Sequence, residues 1–231
     1  MKLWPYYVGW GLFELVLRTQ YDNWFAWSVN ASWTLCWFLL FIHSLKDKTA
    51  WFPTRAVVMV LAWEVTLNIR YWTDVPGAVS YHNVHANLWP FLTMLNLYTS
   101  WKFVPEKLAW PFSVRRLKFK VAGEYLLALS LILFSSYGLG SSHTNNWQLD
   151  AFLIPVLSVF FLVDLIRRKS VLPPKIPHLL RIFGEVIWMI FLWNLTRTNG
   201  PATIKIAVVI TLLVDALYLV ILSFPGMIRG R

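Results

Sequence analysis

Apolar runs of about 20 residues alternate along the chain with short polar stretches that contain proline, glycine and charged residues. Because a helix needs about 20 mostly apolar residues to cross a bilayer, each run predicts a transmembrane helix. The seven predicted spans are about 24–45, 55–73, 86–103, 121–140, 147–166, 178–196 and 203–222. Stretches such as KDKTAWFP and RTNGP predict loops between them. The predicted fold class is therefore all-α, a polytopic seven-transmembrane-helix bundle that forms a single membrane domain over residues 1–231.

The composition supports a membrane protein and excludes a soluble domain. Hydrophobic residues make up 58% of the chain and charged residues only 14%, against about 25% charged residues in soluble domains. The 15 tryptophans also fit a membrane protein, because tryptophan is enriched at membrane interfaces. Residues 4–17 form a shorter apolar run, which predicts a short N-terminal amphipathic helix that lies at the membrane surface.

The basic residues predict the orientation of the bundle. The net charge is +10, but the Lys and Arg residues stand in short loops between apolar runs, so nucleic-acid binding is not expected. Sixteen of the 21 basic residues, with Arg181 counted among them, fall on one side of the predicted bundle. That side is cytoplasmic by the positive-inside rule. We therefore expect a cytoplasmic C-terminus and an N-terminus on the opposite side, in a bacterial inner membrane or the endoplasmic reticulum.

Two acidic residues lie near the middle of predicted spans. At ~1.5 Å per residue, Glu64 lies ~15 Å from the start of the second span and Asp215 ~13 Å from the end of the seventh. Neither has a Lys or Arg within one turn of its own helix. A carboxylate at this depth costs at least ~2.5 kcal/mol, so such residues face the bundle interior and mark functional sites. We expect the two carboxyl groups to converge in one pocket.

Polar and aromatic residues share the helix faces of the two acids. An apolar site disfavours the charged form of a carboxyl group, and a protonated carboxyl in an aromatic pocket can protonate a weakly basic hydrophobic substrate. Aromatic faces stabilise a carbocation through their quadrupoles. The alternative interpretation is that each acid pairs with a polar group of a neighbouring helix and only stabilises the bundle. The residues that share the two faces are Asn68, Tyr71, Thr211 and Tyr218.

Other candidate residues are fewer. Glu185 lies one turn before Trp188, and we count both as candidates for the pocket wall. The HNVH stretch at 82–85 has no third metal ligand nearby in the sequence, and the aspartate-rich motifs that hold magnesium and diphosphate are absent. With Cys36 as the one cysteine, a disulfide within the chain is excluded. No metal and no cofactor is predicted.

Two motifs resemble those of the small integral-membrane terpene cyclases of meroterpenoid and indole-diterpenoid biosynthesis. The first is WFLLFIHSLKDKTAWFPTRAVVMVLAWEVTLNI, in which a short KDK loop is followed by a helix with Trp63 beside Glu64. The second is LLVDALY, which contains Asp215. The chain length and the count of seven predicted helices also agree with this family.

The resemblance implies that Glu64 and Asp215 are the two essential acids. It also implies a metal-independent cyclisation, started by protonation of a terminal epoxide or an alkene. The substrate would be a linear farnesyl or geranylgeranyl chain on an aromatic or indole-type group. Asn96 stands where the resemblance leads us to expect an acid in many fungal members, which leaves open a bacterial member that acts on a different prenylated compound. The expected substrate pocket contains Trp63, Asn68, Tyr71, Asn96, Glu185, Trp188, Thr211 and Tyr218.

An alternative hypothesis from another class is a seven-helix proton-coupled transporter or carrier in which Glu64 and Asp215 relay protons. Many transporters contain structural repeats and helices broken near the midplane, and the sequence shows neither. A non-catalytic assembly protein would leave the two acids unexplained. The sequence therefore favours a terpene cyclase whose partners are a hydrophobic prenylated small molecule and membrane lipid, and it predicts no particular oligomeric state.

Overall fold

The computed structural model describes residues 24–74, 82–103, 114–138, 146–168, 172–196, 201–224 and 226. Within these ranges the protein is all-α, with seven helices and no strand. The helices are α1 Trp24–Asp47, α2 Thr54–Asp74, α3 His82–Lys102, α4 Val114–Gly138, α5 Asn146–Arg168, α6 Lys175–Leu195 and α7 Ala202–Ser223. The all-α prediction is confirmed. The predicted amphipathic helix at 4–17 lies outside the described residues.

The helix bounds differ from the apolar runs mainly where charged residues continue a helix. Helix α4 begins at Val114, seven residues before the predicted start at 121, because VRRLKFK is rich in Lys and Arg, which favour helices but lower the hydropathy. In the described parts of the chain, three helices are long and apolar enough to cross a membrane: Ser28–Asp47, Lys175–Asn194 and Ala202–Ser223. Membrane crossing by the other four helices stays a prediction.

The exposed surface differs from that of a soluble protein. Large apolar side chains face outward, such as Phe134 (81% exposed) and Leu213 (65% exposed). The buried set is mostly hydrophobic but includes charged side chains, among them Glu64, Arg181 and Asp215. Charged side chains are almost never fully buried in soluble proteins unless they are paired, and large apolar patches are seldom exposed. An apolar exterior with charged side chains kept inside is the arrangement expected in lipid.

Helix α1 lies closely against α6, α2 packs against α3 and α4, and α7 packs against α5 and α6. The contact between α1 and α6 depends on Gly184. A Cβ atom added at Gly184 would lie 2.8 Å from both Cδ1 and Nε1 of Trp33, and 3.3 Å from Cβ of Ser32. Small residues allow this kind of close approach between helices in membranes.

Replacing Gly184 with alanine should therefore destabilise the bundle. The Trp33 ring must move, and overpacking of this kind costs about 1–3 kcal/mol. The measurement is the free energy of unfolding in detergent micelles, with indole circular dichroism to follow the ring. Gly123→Ala is the matched control, because nothing lies within 4 Å of an added Cβ there. That control should be neutral or stabilising by roughly 0.5–1 kcal/mol, as expected for alanine in a helix. Equal effects of the two substitutions would contradict this account of the contact.

Candidate active site

A cavity lined by aromatic side chains lies between α1, α2, α3, α5 and α6. Its free volume is about 50 Å³. Four tryptophans form much of its wall, and Glu64, Arg181 and Glu185 are its charged residues. The lining residues are Trp33, Trp37, Met59, Val60, Trp63, Glu64, Trp89, Leu153, Ile154, Leu157, Arg181 and Glu185.

The tryptophan wall is held by contacts between rings. Trp89 meets Trp33 edge to face with centroids 5.9 Å apart, and it meets Trp37 in the same way at 5.6 Å. The indole N–H of Trp89 donates a hydrogen bond to the hydroxyl of Thr34 at 3.1 Å. These contacts join α1 to α3. They fix an electron-rich surface that suits an apolar or cationic ligand.

Glu64 projects from α2 and is only 3% exposed. The Thr93 hydroxyl of α3 donates to its Oε1 atom at 3.0 Å, and Oε2 has no hydrogen-bond partner. Within the part of the chain that the structure describes, no cation pairs with Glu64. A buried carboxyl with one hydroxyl donor and no counter-ion is much more stable neutral than charged. Glu64 is thus a buried acid in the cavity wall.

Arg181 is the centre of a buried charged cluster. Its Nη1 donates to Oε2 of Glu185 at 2.5 Å, and its Nη2 donates to Oδ1 of Asp215 at 3.0 Å. The hydroxyl of Ser158 also donates to Oε2 of Glu185, at 3.0 Å. The assignment of Arg181 to a cytoplasmic loop was wrong, because it lies inside α6 and is 1% exposed. The cluster joins α5, α6 and α7.

Aromatic rings enclose the same guanidinium. Its carbon lies 4.6 Å from the ring centroid of Phe161 and 5.1 Å from that of Tyr218. The Tyr218 hydroxyl and Nδ1 of His178 share a hydrogen bond of 2.8 Å. A desolvated cation between aromatic faces gains about 2 kcal/mol or more, which helps to hold Arg181 away from water. Arg181 is thus fixed in position by ion pairs and by rings.

Three of the residues predicted from the sequence line the cavity: Trp63, Glu64 and Glu185. Asp215 and Tyr218 do not line it. Both residues contact Arg181, so Asp215 is connected to the cavity only through the guanidinium. The two predicted acids are therefore arranged around one cavity in different ways: Glu64 lies in its wall and Asp215 behind it.

The other predicted pocket residues have structural contacts. The side-chain amide of Asn68 donates to the backbone oxygen of Glu64, and that of Asn96 donates to the oxygens of Trp37 and Leu92, each at 3.0 Å. Thr211 donates to Ala207 within its own helix. None of these three lines the cavity.

Two predicted residues remain. Trp188 stacks on Phe191 at 5.1 Å instead of lining the cavity. The side chain of Tyr71 lies outside the described residues.

Sequence reasoning missed Arg181 and three of the four cavity tryptophans. A signal for Arg181 was present, because a lone arginine four residues before Glu185 in an apolar run is the spacing of an ion pair on a helix. No local signal separates Trp33, Trp37 and Trp89 from the other tryptophans. Their role depends on which helix faces meet.

An apolar exterior and a buried acid in a tryptophan-lined cavity fit a membrane protein with a candidate site for an apolar ligand. The family comparison makes this specific: residues 16–172, about two thirds of the chain, match Pyr4-like transmembrane terpene cyclases. The chain belongs to this family, which implies a membrane location and a cyclase enzyme. The match contains Glu64 and ends before Arg181, Glu185 and Asp215. No curated protein and no solved structure matches the chain.

Proposed function

We propose that the protein cyclises a linear farnesyl or geranylgeranyl chain on an aromatic or indole-type group, and that Glu64 starts the reaction by donating a proton. The observation that carries the proposal is the place of Glu64, a buried carboxyl in a tryptophan-lined cavity for which the described residues provide no counter-ion. General acid catalysis by a positioned side chain contributes about 10²–10⁴-fold to a rate. Glu64 is such a side chain.

The proton goes to a terminal epoxide or to a terminal alkene. With an epoxide, the carbon–oxygen bond breaks, the oxygen becomes a hydroxyl and the carbon becomes cationic. With an alkene, the π electrons form the new carbon–hydrogen bond and leave a tertiary cation. Neighbouring alkenes then attack in sequence and close the rings. Because the proton that starts the reaction comes from Glu64, this route uses no metal.

The tryptophan wall has two effects on the carbocation. Trp33, Trp37, Trp63 and Trp89 line the cavity, and aromatic quadrupoles attract positive charge. The apolar side chains of Met59 and Leu157 also exclude water, which would otherwise capture the cation before the rings close. The cavity therefore favours cyclisation over hydration.

We assign Asp215 a positioning function instead of proton donation. It does not line the cavity, and its Oδ1 accepts from the guanidinium of Arg181. The contact with this permanent cation fixes the position of the Asp215 carboxyl group. Asp215 acts through Arg181, which forms part of the cavity wall.

The experiment uses membranes that contain the protein in D₂O buffer. The substrates are farnesyl- and geranylgeranyl-substituted phenols and indoles, each as the alkene and as the terminal epoxide. We expect a cyclised isomer of one or more of them, measured by mass spectrometry. From an alkene the isomer carries one deuterium on carbon, and from an epoxide the deuterium is on the new hydroxyl, where it exchanges.

Three results would contradict the proposal. The first is the absence of cyclised product from the whole set of substrates. The second is a cyclised alkene product without deuterium on carbon. The third is proton movement across sealed vesicles that depends on the substrate and leaves the substrate unchanged, which would favour the transporter hypothesis.

A further inference from the structure

Two carboxyl groups line the same cavity in opposite environments. Glu64 receives a single hydroxyl hydrogen bond, from Thr93 at 3.0 Å. Glu185 receives the guanidinium of Arg181 at 2.5 Å and the hydroxyl of Ser158 at 3.0 Å. Burial favours the neutral form of both carboxyl groups, and at Glu185 the guanidinium of Arg181 opposes that effect. Two groups that differ in this way in one site are the usual sign of an acid and a base.

We propose that Glu185 is the base that ends the cyclisation by taking a proton from the last carbocation. The inference rests on the proposed function. An oxygen of Glu185 forms a bond to a hydrogen on the carbon next to the cationic centre. That carbon–hydrogen bond breaks, and its electron pair becomes the new carbon–carbon double bond. One proton enters from Glu64 and one leaves to Glu185, so the product is an isomer of the substrate.

The hydrogen bonds of Glu185 leave one oxygen available for this step. Both donors, from Arg181 and from Ser158, bind Oε2. Oε1 receives no hydrogen bond from the residues that the structure describes. Asp215 also has a free oxygen, Oδ2, but Asp215 is not among the residues that line the cavity. Of these two carboxyl groups, only that of Glu185 both lines the cavity and has a free oxygen.

The charges of the cluster favour a cation beside it. One guanidinium, that of Arg181, contacts both Glu185 and Asp215. A carbocation in the cavity is attracted to a carboxylate that shares its cation in this way, and the attraction is strong because the site is poorly solvated. After proton transfer to Glu185, Arg181 still contacts Asp215, at 3.0 Å.

The test compares the products of Glu185→Gln with those of the unsubstituted protein on the same prenylated phenols and indoles. The amide keeps the size of the side chain but is a very weak base. Glu64 still starts the reaction, so we expect conversion to continue while the native product falls by ~10²-fold, the scale of a lost general base. Alkene isomers and water-captured alcohols should take its place. Glu124→Gln is the matched control, because Glu124 pairs with Arg55 at 3.3 Å away from the cavity.

The distribution of products decides the result, because a merely structural role would change only the amount. An unchanged distribution in Glu185→Gln, at whatever total yield, overturns the inference. Glu185→Asp is a second variant that keeps the charge near Arg181 while withdrawing the base by one methylene. It should give a distribution between those of the unsubstituted protein and Glu185→Gln, and a distribution identical to that of the unsubstituted protein also counts against the inference.

The two proposals fail in different ways. If the unsubstituted protein gives no cyclised product, the proposed function fails and this inference fails with it. If the unsubstituted protein cyclises a substrate and Glu185→Gln leaves the proportions of its products unchanged, only the role of Glu185 is wrong.

Discussion

Replacing Glu64 with glutamine is expected to lower the yield of cyclised product by ~10²-fold or more, the scale of losing general acid catalysis. The amide has nearly the same shape and can still accept the hydrogen bond that Thr93 donates at 3.0 Å. It cannot release a proton to an alkene or an epoxide. Because no cation pairs with Glu64 among the described residues, the substitution leaves no charge without a partner. The loss should therefore be chemical and should leave the fold intact.

The measurement is the initial rate of product formation at saturating substrate, normalised to the amount of folded protein in the membrane. All products should fall together in Glu64→Gln, since the reaction no longer starts. Glu124→Gln is again the control for a carboxyl-to-amide change outside the cavity, and it should retain the rate. A rate in Glu64→Gln within a few fold of the unsubstituted protein would remove Glu64 from the mechanism.

The second large effect is expected on stability when Arg181 is replaced with leucine. Arg181 is 1% exposed and donates to two buried carboxyl groups, those of Glu185 and Asp215. Removing one partner of a buried ion pair leaves an uncompensated charge and costs about 3–5 kcal/mol. The free energy of unfolding in detergent micelles measures this loss. Arg55→Gln is the matched control, because the Arg55–Glu124 pair is partly exposed and such pairs contribute about 0–1 kcal/mol.

A combined variant separates the contribution of the ion pairs from the penalty of breaking them. In Arg181→Leu with Glu185→Leu and Asp215→Leu, no buried charge of this cluster is left. Apolar replacement of a whole buried ionic cluster is often neutral or stabilising by about 1–4 kcal/mol. The combined variant should thus recover much of the stability that Arg181→Leu loses. If it is less stable than Arg181→Leu, the cluster itself contributes to holding the bundle together.

The two predictions concern activity in one case and stability in the other, because the two acids have different hydrogen-bond donors. Glu64 is buried with a hydroxyl donor, whereas Asp215 is buried with a guanidinium. In the sequence they look alike, since both lie at mid-depth in an apolar run without a cation within one turn. Only the packing of α6 against α7 brings Arg181 to Asp215. The chemistry available to an acid is therefore decided by a contact between helices.

The sequence alone predicted the all-α class, the approximate positions of the seven described helices and the acid at Glu64. These features depend on local sequence. About 20 apolar residues are enough to form a long buried or membrane helix. An acid within such a run faces the interior of the bundle, because its exposure to lipid is costly. The two short motifs around Glu64 and Asp215 also led to the terpene cyclases, a family that the match over residues 16–172 confirms.

The tertiary structure decided which side chains share the cavity. Glu185 lies in the cavity wall and Asp215 lies behind it. Trp33, Trp37 and Trp89, three of the 15 tryptophans, also line the cavity. Arg181, which the sequence analysis counted with the cytoplasmic side, is buried in the core. The physical reason is that a hydropathy pattern describes only residues that are close together along one helix. The surroundings of a buried side chain depend on the rotation and closeness of other helices, such as α1 against Gly184, and these are set by long-range packing.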